Sequence, residues 1–424
     1  MPGKGISINT IIFRINVDHI TGNANISSIL SEYWRRFCLI ENILDFRGNH
    51  CSFDIGKLLA DLLLNSSLKS GPRFATTSSV SLFFSGQDTI SHFSEQSIAE
   101  IFKVGIKIGF VMDPLPAIKI KKDSTFAMML AAQKSGWEIH VMYQHDLYTE
   151  NDTARAHSRI IRVDDNPEHW YDISSEQDIR LAELDAILMR KDPPFDIEYI
   201  ASTYILELAE KDGSLIVNRP SSLRDHNEKM FIASFPQCCT PFMVSRNIHK
   251  LREFVTRQFE DREQDVILKP LDGMGGASIY RVNPRDPNLS VILETVSENE
   301  HRTVMAQRYI PEIAAGDKRV LLIDGEAIPY ALARIPAQGE TRGNLAAGGS
   351  GVGVELSERD RWICQQVGPT LKRQGLLFAG IDIIGDYLTE INITSPTCIR
   401  ELDQIYQLDI AGDLMRNIES NLRS

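Results

Sequence analysis

The stretch Phe378-Ala-Gly-Ile-Asp382-Ile-Ile-Gly385-Asp-Tyr-Leu-Thr-Glu390-Ile-Asn392-Ile-Thr-Ser-Pro396 reads as two strands around a tight turn. Residues 378–384 and 388–393 flank Gly385-Asp386, a hairpin signal. Glu390 and Asn392 are two apart, so a strand puts both on one face and gives the other to Ile391 and Ile393. The turn brings Asp382 near Glu390, and cross-strand Cβ atoms in such pairs lie roughly 4.5–5.5 Å apart. Two carboxylates that close repel, and a bound hard cation removes the repulsion. The three side chains are oxygen donors, which suits Mg²⁺ and not a soft metal. A polar sheet face in water fits the same pattern.

Two further hairpins lie upstream. Residues 320–323 and 327–335 flank Asp324-Gly325, and residues 266–269 and 277–282 flank a glycine loop. Antiparallel hairpins with intervening helices predict an α+β domain. The loop reads Lys269-Pro-Leu-Asp-Gly273-Met274-Gly275-Gly276. Its glycines let successive N–H groups approach phosphate oxygens, and Lys269 supplies a point charge from the strand before them. A hairpin tip with a surface lysine is the plainer reading. No Lys-Ser/Thr follows the glycines, so the loop is not a Walker A motif. Arg319 begins one strand of the middle hairpin and Arg334 ends the other, so the two guanidiniums come together. They could grip a phosphoryl or carboxylate oxygen, or pair at the surface with Asp317 and Glu340. Residues 335–350 then form a glycine-rich loop around Arg342 with nothing bulky enough to pack a core, which fits a lid.

Between 105 and 225 the pattern is different. Residues 106–112, 137–143, 185–190 and 215–218 are short apolar runs typical of buried parallel strands. Helices fit between them. One is capped by Ser124 and stopped by Gly136; another is capped by Asp196 and ended by Gly213. This alternation predicts a small open α/β sheet over 105–225, followed by the α+β domain over 226–424. The first turn, Met112-Asp113-Pro114, has no GxGxxG, so no dinucleotide fingerprint is present.

The chain has 424 residues, 43% hydrophobic and 24% charged, with a net charge of −12. That mixture is globular, and no run of 18 apolar residues suggests a membrane span. The acidic balance disfavours a nucleic-acid binder. Six scattered cysteines without CxxC spacing read as reduced thiols of a cytoplasmic protein. Residues 1–104 hold nine Lys/Arg and nine Asp/Glu, so the rest of the chain carries all the net charge. This Ser-rich, weakly periodic segment reads as a poorly ordered appendage. A second reading is a start of translation at the valine codon of Val104.

The ordered set of strings resembles the ATP-grasp ligases, and among them the bacterial glutathione synthetase family. The strings are Met112-Asp-Pro114, Ile120-Lys-Lys-Asp-Ser124, Met189-Arg-Lys-Asp-Pro-Pro-Phe-Asp196, Asn227-Glu-Lys229 and Leu268-Lys-Pro-Leu-Asp-Gly-Met-Gly-Gly-Ala-Ser278. Further on come Gly316-Asp-Lys-Arg319, Leu332-Ala-Arg-Ile-Pro336, Gly339-Glu-Thr-Arg-Gly-Asn-Leu-Ala-Ala-Gly-Gly349 and Thr389-Glu-Ile-Asn-Ile-Thr-Ser-Pro-Thr-Cys-Ile-Arg-Glu401. The likeness runs over about residues 105–420 and leaves 1–104 without a counterpart.

The resemblance implies a pre-ATP-grasp domain followed by an ATP-grasp domain, and ligation of γ-glutamylcysteine to glycine with ATP converted to ADP and phosphate. It implies Lys229 and Lys269 on the nucleotide phosphates and Gly273, Met274, Gly275 and Gly276 as the phosphate loop. Arg308, Tyr309 and Ile310 fall beside adenine, with Asp317 a further nucleotide contact. Asp382, Glu390 and Asn392 match the ligands of Mg²⁺ or Mn²⁺, and Arg319, Arg334 and Arg342 the catalytic arginines. A homotetramer is implied as well. The chemistry agrees: transfer of the γ-phosphoryl group makes an acyl phosphate, which an amine can attack with phosphate as leaving group. No nucleophilic thiol is needed, so Cys398 reads as a packed side chain. Other ATP-grasp carboxylate–amine ligases would use the same acidic hairpin, and an ATP-binding module without turnover would have lost some of these residues.

Overall fold

The computed structural model describes residues 105–273, 276–337 and 350–423. Residues 1–104, Met274, Gly275 and Arg342 therefore lie outside the described residues, as does most of the glycine-rich loop.

The first strand, β1 (Lys107–Met112), is buried from Ile108 onward, as its apolar run requires. Helix α1 (Ser124–Lys134) follows, then β2 (Glu138–Tyr143), parallel to β1. The cap of α1 is Asp123 and not Ser124. The Asp123 carboxylate accepts from Phe126 N at 2.7 Å, satisfying a free N–H of the first turn. Ser124 is buried, and its hydroxyl accepts instead from Ile399 N, 3.2 Å away across the fold. Gly136, at φ +77°, ends the helix as its sequence position suggests.

Strands β3 (Leu147–Glu150), β4 (Thr153–Val163) and β5 (Tyr171–Arg180) then form an antiparallel extension on β2. The apolar-run reading did not show it. Next come β6 (Ala186–Met189), α2 (Ile197–Lys211), β7 (Leu215–Val217) and α3 (Pro220–Asp225). Asp196 caps α2 by accepting from Glu198 N and Tyr199 N. Strands β2, β1, β6 and β7 are parallel neighbours in that order, and with β3–β5 they make a seven-stranded mixed sheet.

A four-stranded antiparallel sheet follows, in the order β10-β9-β11-β8. Its strands are β8 (Phe242–Ser245), β9 (Val266–Pro270), β10 (Tyr280–Val282) and β11 (Val304–Arg308), with α4 (Ile248–Arg262) and α5 (Leu289–Val296) packed on one side. Leu251, Val255, Leu268, Leu293 and Val304 form a core that belongs to this sheet and its helices alone.

The last sheet has the order β14-β13-β12-β15-β16, all antiparallel. It is built from β12 (Asp317–Ile323), β13 (Glu326–Ile335), β14 (Ser350–Glu355), β15 (Phe378–Ile384) and β16 (Tyr387–Asn392). Helices α6 (Glu358–Arg373), α7 (Ile399–Tyr406) and α8 (Ile410–Arg423) complete it. Asp324 and Gly325, at φ +50° and +82°, make the primed turn that joins β12 to β13. A Cβ on Gly368 would sit 2.1 Å from the Gly325 carbonyl oxygen, so α6 lies against this turn only because Gly368 has no side chain.

The five-stranded and seven-stranded sheets share one core. Phe110, Leu188, Leu321, Phe378 and Leu414 belong to the same buried cluster. Asn218, just past β7, joins them by hydrogen bonds. Its buried amide donates to the carbonyls of Phe378 and Ile393, both at 2.7 Å, and accepts from Phe378 N at 2.9 Å. Asn218→Ala leaves these three buried groups unpaired, and is expected to lower the unfolding free energy by about 2–4 kcal/mol. Urea unfolding checks this; a midpoint equal to that of the unaltered protein would show that the tie is dispensable.

Candidate active site

The hairpin β15–β16 pairs Asp382 with Glu390 and Gly380 with Asn392. The register then shifts, so that Ile383 faces Leu388 and Thr389 is the extra residue. The Thr389 hydroxyl donates back to the Asp382 carbonyl at 3.1 Å. With that bulge in place, Asp382 and Asn392 meet: the Asn392 amide donates to Asp382 Oδ2 at 3.1 Å. The acidic hairpin thus brings its three oxygen-bearing side chains to one patch, with Ile391 and Ile393 turned into the core.

The adjacent strand β12 sets Arg319 directly across from Asp382. Its guanidinium grips the carboxylate with two nitrogens: Nε on Oδ1, and Nη2 on Oδ2 at 2.8 Å. Arg334, opposite Asp317 in the β12–β13 register, reaches the same Oδ2 at 2.9 Å and also pairs with Asp317. These four charged groups are buried or nearly so. The arginines do come together, as the hairpin predicts, and what they hold is the Asp382 carboxylate. Burial opposes the charge of Asp382, but Arg319 and Arg334 outweigh it and hold the carboxyl well below the usual carboxylate range. Asp317 is shifted the other way. Burial pushes its carboxyl up, only partly opposed by Arg334, and Asp382 adds repulsion. Among the described residues, Asp317 Oδ1 and Arg334 Nε have no hydrogen-bond partner.

Two lysines approach from the other side. Lys229 Nζ donates to the Gly273 carbonyl at 2.6 Å and to Glu390 Oε1 at 2.9 Å. Burial works against its charge, yet Glu390 more than compensates and raises its pKa. Lys269, on β9, donates to Gln307 Oε1 at 3.1 Å and to the Thr389 carbonyl at 3.2 Å. Among the described residues no carboxylate is in direct contact with it, and burial pushes its pKa down to about 8. The lysine before the glycine loop is thus a buried group beside the acidic hairpin, not an exposed one at a hairpin tip.

Arg308 ends β11 and Tyr309 and Ile310 follow it. Their backbone is pinned by Arg308 N to the Pro241 carbonyl at 3.0 Å and Tyr309 N to the Asp265 carbonyl at 2.8 Å. The Tyr309 ring carries the Arg281 guanidinium 3.9 Å from its centre, and Ile310 is buried. Gly276, at φ +78°, closes the described part of the glycine loop. Cys398 is buried, and burial pushes its thiol up, which suits packing and not nucleophilic attack.

Sequence reasoning missed Glu228. One of its oxygens, Oε1, accepts from Ile393 N at 2.8 Å, Thr394 N at 2.9 Å and the Thr394 hydroxyl at 2.9 Å. Its own carbonyl accepts from Ile391 N at 3.0 Å. Glu228 therefore fixes the end of β16, on which Glu390 and Asn392 stand. The only signal was its place between Asn227 and Lys229. Burial and the neighbouring Glu390 push its carboxyl up.

Asp382, Glu390 and Asn392 carry oxygen donors of the kind a hard divalent cation takes; Glu390 is 23% exposed, whereas both oxygens of Asp382 are already engaged by Arg319, Arg334 and Asn392. The reason differs from simple repulsion. Arg319, Arg334 and Lys229 already offset the two carboxylates. The oxygen chemistry of the donors, with Glu390 foremost, is what suits a cation.

The burial contrast gives a stability prediction. Asp382→Asn leaves two buried guanidiniums without their shared counter-charge and is expected to cost about 3–5 kcal/mol. Glu390→Gln alters a half-open pair and is expected to cost about 1–2 kcal/mol. Unfolding in urea without nucleotide or metal compares them, and equal losses would contradict the assigned burial roles.

Comparison with known proteins places this architecture. A family model described as prokaryotic glutathione synthetase, N-terminal domain, matches residues 106–224, and one described as its ATP-grasp domain matches 228–407. Glutathione synthetase from Pseudomonas putida is 59% identical over 321 residues, 76% of this chain and 100% of that protein. The protein of the same name from Vibrio vulnificus is 56% identical over 319 residues, 75% of this chain and 99% of that protein. Among solved structures, the D-cycloserine synthetase DcsG matches with a TM-score of 0.53 at 13% identity, over 74% of this chain and 99% of that one. A RiPP-associated ATP-grasp ligase from Chryseobacterium gregarium, solved with ADP and peptides, gives a TM-score of 0.50 at 13% identity, over 74% of this chain and 97% of that one. These two likenesses speak to the fold.

Proposed function

The chain belongs to the prokaryotic glutathione synthetase family, and we propose that its buried Arg–Asp–Arg hairpin cluster serves the ATP-dependent joining of γ-glutamylcysteine to glycine. The observation that carries this reading is the convergence of Arg319, Arg334, Asp382, Glu390, Lys229 and Lys269 on two adjoining hairpins, in a chain 59% identical to a glutathione synthetase. We assign residues 105–225 to the pre-ATP-grasp domain and 226–424 to the ATP-grasp domain, with 1–104 a separate extension.

Lys229 and Lys269 would neutralise the ATP phosphates, with Gly273, Met274, Gly275 and Gly276 lending backbone N–H groups. Arg308, Tyr309, Ile310 and Asp317 would border the nucleotide. Asp382, Glu390 and Asn392 would hold Mg²⁺ or Mn²⁺, which when bound supplies charge neutralisation on the phosphates. The donor carboxylate attacks the γ-phosphorus, the bond to ADP breaks, and an acyl phosphate forms. The amine of glycine then attacks the acyl carbon, and phosphate leaves. Arg319 and Arg334 would offset the negative charge that develops, with Arg342 in the loop that would exclude water.

Among the described residues no helix is long and apolar enough to cross a membrane. Cys238, Cys239, Cys364 and Cys398 are free thiols, which supports a cytoplasmic setting. A homotetramer is the proposed assembly, and light scattering that returns a smaller mass than four chains would correct it.

Incubation with ATP, Mg²⁺, γ-glutamylcysteine and glycine is expected to yield ADP and glutathione in equal amounts. ADP release that persists when γ-glutamylcysteine is omitted would point to another carboxyl donor. The Lys269 reading adds a pH dependence. Its pKa is lowered to about 8 in the free protein, so it is charged below that pH and neutral above it. Bound phosphates favour the charged form, so binding above pH 8 takes up a proton. ADP affinity should therefore fall by up to about tenfold per pH unit above that point. Calorimetry from pH 7 to 9.5 measures it, and Lys269→Met should flatten the slope.

A further inference from the structure

The strings Met112-Asp-Pro and Met189-Arg-Lys-Asp have no part in the phosphate chemistry, yet the fold brings them together. Asp113 follows β1 and Lys191 follows β6, and these two strands are parallel neighbours. Both residues therefore stand at the carboxyl ends of adjacent parallel strands, where open α/β sheets bind ligands. Lys191 Nζ lies 2.9 Å from Asp113 Oδ1 and donates to the Asp192 carbonyl at 2.6 Å. Asp192 N donates to Asp113 Oδ2 at 3.0 Å. An ammonium has three protons and a carboxylate about four lone-pair sites, so each partner keeps capacity for a further bond. Their side chains are 18% and 29% exposed, so both can be reached.

A buried residue leads from this pair towards the reacting centre. Arg190 precedes Lys191; its Nε donates to the Thr125 hydroxyl at 3.1 Å and its Nη2 to the Pro396 carbonyl at 3.0 Å. Pro396 in turn lies against Gly380, where a Cβ would meet the proline ring at 3.0 Å and the Arg319 side chain at 2.8 Å. Arg190 is 5% exposed, and among the described residues its Nη1 and the buried Tyr199 hydroxyl have no hydrogen-bond partner. Arg190 thus ties the end of β6, beside Lys191, to the segment that follows β16.

We propose that Asp113 and Lys191 form the subsite for the charged amino-acid head of the donor, Lys191 taking its α-carboxylate and Asp113 its α-ammonium. This rests on the functional reading above. The donor carries one carboxylate that reacts and, at its far end, a zwitterion that does not. The clamp serves the first, and a lysine–aspartate pair matches the second, opposite charge to opposite charge. Without such a subsite, a reactive centre that accepts any carboxylate has little basis for choosing this one. Binding energy gathered at the remote end also orients the reacting end.

The test uses the full-length protein and two analogues. 4-Aminobutyryl-cysteine lacks only the α-carboxylate, and glutaryl-cysteine lacks only the α-ammonium. With the unaltered enzyme, each is expected to show a KM about 10- to 100-fold above that of γ-glutamylcysteine, the size of one lost charge-assisted contact. In Lys191→Met, the KM for γ-glutamylcysteine should rise to that of 4-aminobutyryl-cysteine, so discrimination between the two disappears. Lys191→Arg should restore part of it. Asp113→Asn should do the same for glutaryl-cysteine, and KM for ATP should stay within about twofold in all variants. Unchanged discrimination in both variants, or equal rises in KM for every substrate, overturns the assignment while leaving the ligase reading intact. An unaltered enzyme that neither binds γ-glutamylcysteine by calorimetry nor consumes it overturns the ligase reading, and this subsite with it.

Discussion

The carboxylate of Asp382, gripped from one side by Arg319 and from the other by Arg334, is the contact on which the site depends. An ion pair out of water is not automatically stabilising, because each charge loses its hydration. Here one carboxylate is shared by two guanidiniums, and Asp317 balances the second arginine. The arrangement is close to neutral, which makes it tolerable inside the protein. It also means that three strands, β12, β13 and β15, are held in register by charge as well as by their backbone ladders. A substrate arriving at this place meets groups already oriented. Such preorganisation is what makes fixed charges effective when negative charge moves during a reaction.

The two lysines show how location alone can separate like residues. Lys229 sits against Glu390 and keeps its proton firmly. Lys269 is as buried but rests on neutral acceptors, the Gln307 amide and the Thr389 carbonyl, so its proton is held weakly. A polyanion changes the second far more than the first. Lys229 thus contributes a permanent charge, whereas Lys269 is fully charged only in the presence of something negative or at lower pH.

Much of this was legible along the chain. Asp324-Gly325 and Gly385-Asp386 announced their turns because tight hairpins demand positive φ, and the spacing of Asp382, Glu390 and Asn392 then followed from strand geometry. Asp196 was legible as a cap, whereas Asp123 and Ser124 are adjacent cap formers and only the hydrogen bond to Phe126 N decides between them. The antiparallel extension β3–β5 was hidden for a different reason. β5 is mostly exposed and polar, and β4 alternates buried residues with Arg155, His157 and Arg159, so neither carries an apolar run. Asp317 was legible as a partner of Arg334, but its second partner, Asp382, and the role of Glu228 were beyond reach, because each depends on which segments far apart in sequence lie side by side. Nothing in the text of the glycine loop said that Lys269 would be buried.

The separate core of the four-stranded sheet has a mechanical consequence. Asn218 and the shared apolar cluster weld the seven-stranded and five-stranded sheets together, while β8–β11 with α4 and α5 keep a hydrophobic interior of their own. Its other face is shared: Met305 of β11 is buried in one cluster with Val320 and Ala379 of the five-stranded sheet. The block that carries Lys269 is therefore keyed to the welded pair on one face and independent of it on the other.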